Sequence, residues 1–219
     1  NAKWGQSNLV VAEADESDGS FLHLPSTYSV ITNIDNDHLD HFGSMDKIDS
    51  AFVEFVAKIP FYGAAIVCGD DPGVQRILGR LTKPFLTYGA NPRSDYYCDH
   101  VKLDRMESHF DVFQNDWTSG AKIKLGSIHL RVPGSHNVLN SLAAVVVGLQ
   151  LGLNFDEIEK GLNRYQGVGR RFEIDYQNSS RGISIIDDYG HHPTEIAVTL
   201  NTARKFWEGR ILTVFQPHR

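Results

Sequence analysis

Short apolar runs that end in acidic or histidine-rich clusters recur along this chain and set its expected architecture. Asn8–Ala12 runs into EADESD (Glu13–Asp18), and Tyr28–Thr32 runs into NIDNDHLDH (Asn33–His41). Ile183–Ile186 runs into DDYGHHPTE (Asp187–Glu195), and Ile211–Phe215 into FQPHR. Each run reads as a short buried strand. Between the last two, Ile196, Leu200, Ala203 and Trp207 recur at helical spacing. Strand, helix and strand in about thirty residues is the size of one βαβ unit, whose crossover is parallel and right-handed. The polar clusters then leave the carboxyl ends of parallel strands, the edge at which open α/β sheets bind ligands. Tyr189, His191, His218 and Arg219 are expected to face a common crevice. Any one cluster could be a solvated loop; four together favour a shared site.

The remaining pattern is also α/β. Met45–Lys58 carries an apolar stripe and predicts a helix stopped by Pro60. Ala64–Cys68 reads as a strand, and Asp70-Asp71-Pro72 starts another helix with Asp as cap and Pro in the first turn. Residues 84–131 hold short alternating runs (85–88, 97–103, 109–113, 123–125, 128–132) and predict a small antiparallel insertion. Pro133-Gly134-Ser135 opens a helix over Leu139–Leu151 that Gly152 ends, and Asp156–Leu162 predicts a second. The turn GVGRRFE (Gly167–Glu173) is the best boundary, dividing the chain into units 1–169 and 170–219. The expected fold is thus a mostly parallel sheet flanked by helices, with a small antiparallel insertion and the start of a second α/β unit.

Composition narrows the function. No stretch is long and uncharged enough to cross a bilayer, and Leu139–Leu153 is too short and polar. Net charge is −6 with no basic stripe, which argues against nucleic acid as a main partner. Cys68 and Cys98 lack pairing or metal spacing and read as reduced thiols of a cytoplasmic protein. Nothing in the pattern fixes an oligomeric state.

Glu13, Asp15, Glu16 and Asp18 are close enough to hold a divalent cation, and magnesium takes one or two such carboxylates plus waters and phosphate oxygens. His38 could add a nitrogen ligand. Asp37, His38, Asp40 and His41 offer a zinc alternative that lacks the second spaced pair such sites show. Gly134-Ser-His-Asn-Val-Leu-Asn140 lies at a helix start, where it can either cap the helix or hold a base or phosphate. Arg170 and Arg171 are phosphate forks or structural arginines. A phosphate loop ending in Gly-Lys-Ser/Thr is absent, for the sequence contains no Gly-Lys pair. The chain therefore reads as an internal stretch of a longer protein, with that loop expected upstream of Asn1 and no turnover expected from these residues alone.

VAEADESDGSFLHL, TNIDNDHLDHFG, PFYGAAIVCGDDP, PGSHNVLN, GVGRRFE, DDYGHHPTE and FQPHR, in that order, resemble the Mur ligase family over essentially the whole chain. The resemblance implies most of the central ATPase domain followed by the start of a Rossmann-like, amino-acid-binding carboxyl-terminal domain. It implies ATP-dependent ligation of L-alanine to UDP-N-acetylmuramate through an acyl phosphate, in peptidoglycan precursor synthesis. The alternatives are the murein-peptide recycling branch, or a stretch that binds nucleotide without catalysis. By resemblance, Glu13 and His38 are Mg2+ ligands, and His136, Asn137 and Asn140 form the adenine segment. Arg171 meets the ATP phosphates and Asp188 the ribose. Tyr189, His191, His218 and Arg219 surround the amino acid and acyl phosphate, with Arg219 a fork for the alanine carboxylate. Later-acting members carry a carbamylated lysine where alignment of DHLDHFGSM places Phe52, so no lysine carbamate is expected here.

Overall fold

The computed structural model describes residues 5–217 apart from His38 and Arg105, and apart from the side chain of Asp40. Ala64–Cys68 (β2) lies inside its larger sheet and is buried at all five positions. Both faces of a parallel strand must be covered, so it reads as a continuous apolar run. Its neighbours β1 (Tyr28–Ile31) and β3 (Phe85–Gly89) are both parallel to it. Alternation then sorts the side chains between two layers. Ile66 and Cys68 join Tyr88, Val112 and Leu142 on the face covered by α4 (Ser135–Gln150) and α5 (Phe155–Asn163). Ala65 and Val67 join Ile31, Val56 and Ile77 on the face covered by α2 (Met45–Ala57), which follows the short helix α1 (Leu39–Phe42), and by α3 (Pro72–Leu78).

The sheet continues in chain order through β4 (Tyr96–Asp104), β5 (Glu107–Asp116) and β6 (Ala121–Leu130), making six strands. β4 is parallel to β3 for two residue pairs, and the β4–β5 and β5–β6 pairings are antiparallel. The expected insertion over 84–131 is therefore corrected in two respects. Phe85–Gly89 belongs to the parallel part, and the runs at 123–125 and 128–132 are one strand through residue 130. Gly126-Ser127, which reads as a turn, lies inside β6, where a bulge that leaves Leu125 unpaired opposite Val112 and Phe113 of β5 absorbs the irregularity. A second sheet pairs β7 (Glu173–Asn178) with β8 (Ile183–Asp187) antiparallel, followed by α6 (Pro193–Phe206).

Two expected strands do not form. Residues 8–12 are extended without sheet pairing, and Val10 and Val11 are 91% and 96% exposed. Residues 211–215 are likewise unpaired, with Val214 fully exposed, so α6 is not followed by a returning parallel strand. An apolar run becomes a strand only where a neighbour supplies both the ladder of hydrogen bonds and a covering layer. Among the described residues, neither run has such a neighbour.

Three contacts fix the loops after the strands. Phe21, in a 3-10 turn (Ser20–His23), is 1% exposed and packs on Phe52 and Phe55 of α2, with ring centroids 5.4 and 5.0 Å away. It pins the acidic segment that precedes it, and the Phe52 position is filled by aromatic packing. Asp71 caps α3: its Oδ1 accepts the amide of Val74 at 2.8 Å and also that of Ile34 at 3.1 Å. Arg76 of α3 donates two bonds of 3.0 Å to the buried carboxylate of Asp49 on α2.

Gly73 permits the Asp71 arrangement, because a Cβ there would collide with the carbonyl oxygen of Ile34. Gly73→Ala is expected to cost about 1–3 kcal/mol in urea unfolding, by pushing α3 off the loop after β1. Gly79→Ala, at a right-handed position with open space around it, should be neutral or slightly stabilising. Equal stability of the two variants would contradict the close approach at Gly73.

Candidate functional site

The segment 13–18 meets the loop after β1. Asp15 and Asp18 each cap a turn, Asp15 Oδ1 accepting the Ser17 amide and Asp18 Oδ1 the Ser20 amide, both at 2.8 Å. A Cβ added at Gly19 would lie 3.3 Å from Nε2 of His41, which places this histidine of the short helix 39–42 over the acidic segment. The Ser20 hydroxyl and amide hold the Asp18 carboxyl below its ordinary range, with a smaller contribution from His41. Glu13, two residues before Asp15 in the chain, is exposed. Hard oxygen donors of this kind fit Mg2+, which keeps several waters and needs few protein ligands.

The same loop after β1 meets the start of α6. Thr194 donates from Oγ1 to Asp35 Oδ2 at 2.7 Å, across 159 positions of sequence, and His192 Nδ1 lies 4.0 Å from the same oxygen. The Thr194 hydroxyl, with the Asn36 amide behind it, holds Asp35 below the ordinary carboxylate range. Helix α6 begins with His192 as cap and Pro193 in its first turn, and Glu195 closes the turn by accepting the amides of His191 and His192 at 3.1 and 3.3 Å.

Glu195 also organises the cations. Its Oε1 accepts from Arg171 at 3.0 Å, while the guanidinium centres of Arg171 and Arg170 sit 5.7 and 4.9 Å from the ring centre of Tyr189. Tyr189 in turn meets the His191 ring edge-on at 5.4 Å. Asp188 points its carboxylate at the backbone: Oδ2 accepts the Phe172 amide at 2.9 Å and Oδ1 the Gly190 amide at 2.8 Å. Between them the GVGRRFE turn is strained, for Arg170 and Phe172 have φ of 60° and 52°. Such left-handed positions in non-glycine residues cluster at functional sites.

At the start of α4, Gly134 (φ 97°) lets the His136 ring fold back over its own backbone, and Asn137 Nδ2 donates to the Pro133 carbonyl at 2.7 Å. Burial lowers the His136 pKa; Asp188 opposes that and Arg171 adds to it, so the start of α4 lies within electrostatic reach of both. Asn140 is exposed one turn further on. A cavity of about 990 Å³ is lined by Arg170, Asp188, Tyr189 and His191 together with Phe215, Gln216 and Pro217. The two polar ends expected to share a crevice thus do so as far as Pro217. His38, His218 and Arg219 lie outside the described residues.

Sequence reasoning missed Asp35, Thr194 and Glu195 as organisers. Glu195 had a signal in the H-P-T-E start of α6, which is a capping box with an unusual cap. The Asp35–Thr194 contact had none.

The ionised form of Glu195 contributes to stability. Burial alone would raise this carboxyl, but Arg171 and the amides of His191 and His192 hold it below its usual range. Its contribution is therefore complete above an unfolded value of about 4.3 and is lost as pH falls through the lower folded pKa. The difference in urea midpoint between the native protein and Glu195→Gln should stay constant from about pH 8 down to about pH 5, then shrink in acid. A gap that narrows on raising the pH would be the wrong sign.

Residues 5–148 match the Mur ligase middle domain, and residues 170–219 the Mur ligase glutamate ligase domain. The UDP-N-acetylmuramate–L-alanine ligase of Pelobacter propionicus is 48% identical along the whole of this chain, which spans 46% of that relative. The enzyme of the same name from Trichlorobacter lovleyi is 47% identical, again along the whole chain and 47% of its own length. The chain thus spans about half the length of the curated relatives it matches. A crystal structure of UDP-N-acetylmuramate–alanine ligase from Thermotoga maritima superposes with a TM-score of 0.73 at 29% identity, over 90% of this chain and 42% of that one. The hydrogen bond that joins the loop after β1 to the start of α6, the braced arginine turn and two consecutive domain matches lead to one conclusion: the chain belongs to the Mur ligase family.

Proposed function

We propose that this chain carries nucleotide- and amino-acid-handling parts of an enzyme that joins L-alanine to UDP-N-acetylmuramate, driven by ATP, in peptidoglycan precursor synthesis. The observation that carries the reading is the Thr194–Asp35 hydrogen bond of 2.7 Å, which holds the loop after β1 against the turn bearing Asp188, Tyr189 and His191. The names of relatives 48% and 47% identical over the whole chain support the alanine-adding branch. A division at 169/170 is supported by the second domain match, which starts at residue 170.

In this reading ATP phosphorylates the lactyl carboxylate, the alanine amine attacks the acyl phosphate, and phosphate leaves as the amide forms. Glu13 and His38 would hold Mg2+, which when bound screens charge on the transferred phosphoryl group. Arg171 would meet the phosphates. Its contacts with Glu195 and Tyr189 orient the guanidinium before substrate arrives, so little freedom is lost on binding. His136, depressed by burial, stays neutral near pH 7 and can share the adenine with Asn137 and Asn140 without opposing Mg2+. Asp188 would meet the ribose. Tyr189, His191, His218 and Arg219 would surround the acyl phosphate and alanine, Arg219 gripping the carboxylate in a two-pronged fork.

The test is alanine-dependent phosphate release by the full-length protein with ATP and UDP-N-acetylmuramate. Glu13→Ala and His38→Ala should each lower the rate by roughly 100-fold or more with an unchanged circular dichroism spectrum. Near-normal turnover in either variant would remove that residue from the cation site, and absence of alanine dependence in the native protein would refute the reading.

A further inference from the structure

A second cluster of ionisable side chains lies on the outer face of the β5–β6 hairpin. Glu107 and His109 are two apart on β5 and so share a face, and the register sets His109 directly opposite His129. Ser108, Phe110, Ile128 and Leu130, on the other face, are buried in the core. The two imidazole rings stack with centroids 4.2 Å apart and planes 8° from parallel. Glu107 Oε2 lies 3.1 Å from His129 Nε2 and 3.9 Å from His109 Nε2, and one ligand atom from each of the three residues falls within 4.8 Å of the others.

An ordinary ion pair does not explain this arrangement. His129 Nε2 is shielded from solvent and, despite its 3.1 Å approach to the carboxylate, is not aligned for a hydrogen bond. A buried ring nitrogen without a partner calls for an explanation. Protonating both imidazoles would set like charges face to face at 4.2 Å. A metal ion held by the three groups satisfies all of them once one imidazole turns out of the stack, so that the two in-plane lone pairs converge. With bonds of about 2.0–2.2 Å to nitrogen and oxygen, tetrahedral zinc holds its ligand atoms roughly 3.3–3.5 Å apart. The two measured separations, 3.1 and 3.9 Å, bracket that distance.

We propose that Glu107, His109 and His129 form a binding site for Zn2+ or a divalent transition metal of the same class, with water in the fourth position. Two imidazoles and one carboxylate select such ions over Mg2+, which prefers oxygen. The facing charges on β4 are Lys102, paired with His109, and Asp104, paired with Glu107. Lys102 is exposed, and its long side chain can carry the ammonium away from the ion. Glu107 also lines, with Met106, a cavity of about 610 Å³ whose opposite wall includes Ile174, Asn178 and Trp207. The ion would stiffen the hairpin where the two sheets approach.

The experiment is calorimetric titration of the tag-free, metal-stripped, full-length protein with Zn2+, paralleled by Co2+ absorption in the visible. One equivalent is expected with a tetrahedral Co2+ spectrum, and it should persist in Glu13→Ala. His109→Ala, His129→Ala and Glu107→Gln should each weaken it by at least roughly tenfold. Zn2+ should also raise the melting temperature of the native protein but not of these variants. His109 is half exposed, so His109→Ala decides the matter if His129→Ala does not fold. Zinc affinity unchanged in folded His109→Ala, or no zinc bound by the native protein, overturns the proposal.

Discussion

One oxygen of Asp71 holds together the part of the molecule on which the rest depends. It accepts two amides, that of Val74 at the start of α3 and that of Ile34 in the loop after β1. The helix cap and the position of the loop are therefore a single interaction. Gly73 allows the two backbones to approach, and the paired bonds from Arg76 to Asp49 brace α3 against α2. Underneath, Phe21 closes on Phe52 and Phe55, so the acidic segment before it is anchored through the same helix.

From that fixed loop the polar residues connect in series. Asp35 reaches Thr194, the α6 start places Glu195, Glu195 holds Arg171, and Arg171 with Arg170 lies over Tyr189. These are mostly charge-assisted contacts between half-exposed groups, each worth little alone. Their value lies in orientation, because every member is also tied to a backbone amide or to a neighbour. The arrangement suits chemistry that needs positioned charge more than a new nucleophile.

Much of this was legible in the sequence because local physics decided it. The continuous apolar run of β2, the Asp71-Pro72 helix start, the stripe of α2 and the Gly152 stop each depend on neighbours a few residues away. The clusters after β1 and β8 were legible too, since apolar runs ending in carboxylates and imidazoles mark strand ends, although these two strands lie in separate sheets. What failed was pairing. Residues 8–12 and 211–215 have strand-like composition, but a strand also needs an adjacent edge, which composition does not specify. Gly126-Ser127 looked like a turn because the bulge beside it, at Leu125, was invisible in one dimension. The same holds for contacts across many positions: Asp35 with Thr194, and His129 with Glu107, follow from register and packing.

The turn at Gly167–Glu173 carries a last consequence. Arg170 and Phe172 adopt a backbone form that L residues resist, and Asp188 retains one of them by accepting its amide. A carboxylate has about four acceptor directions, so another donor can approach while both backbone bonds persist. A donor that instead displaces the Phe172 amide frees that residue to relax to ordinary φ. For a donor of that displacing kind, occupancy at this one carboxylate and the path of the chain between its two sheets are thermodynamically linked, and the linkage runs equally in both directions.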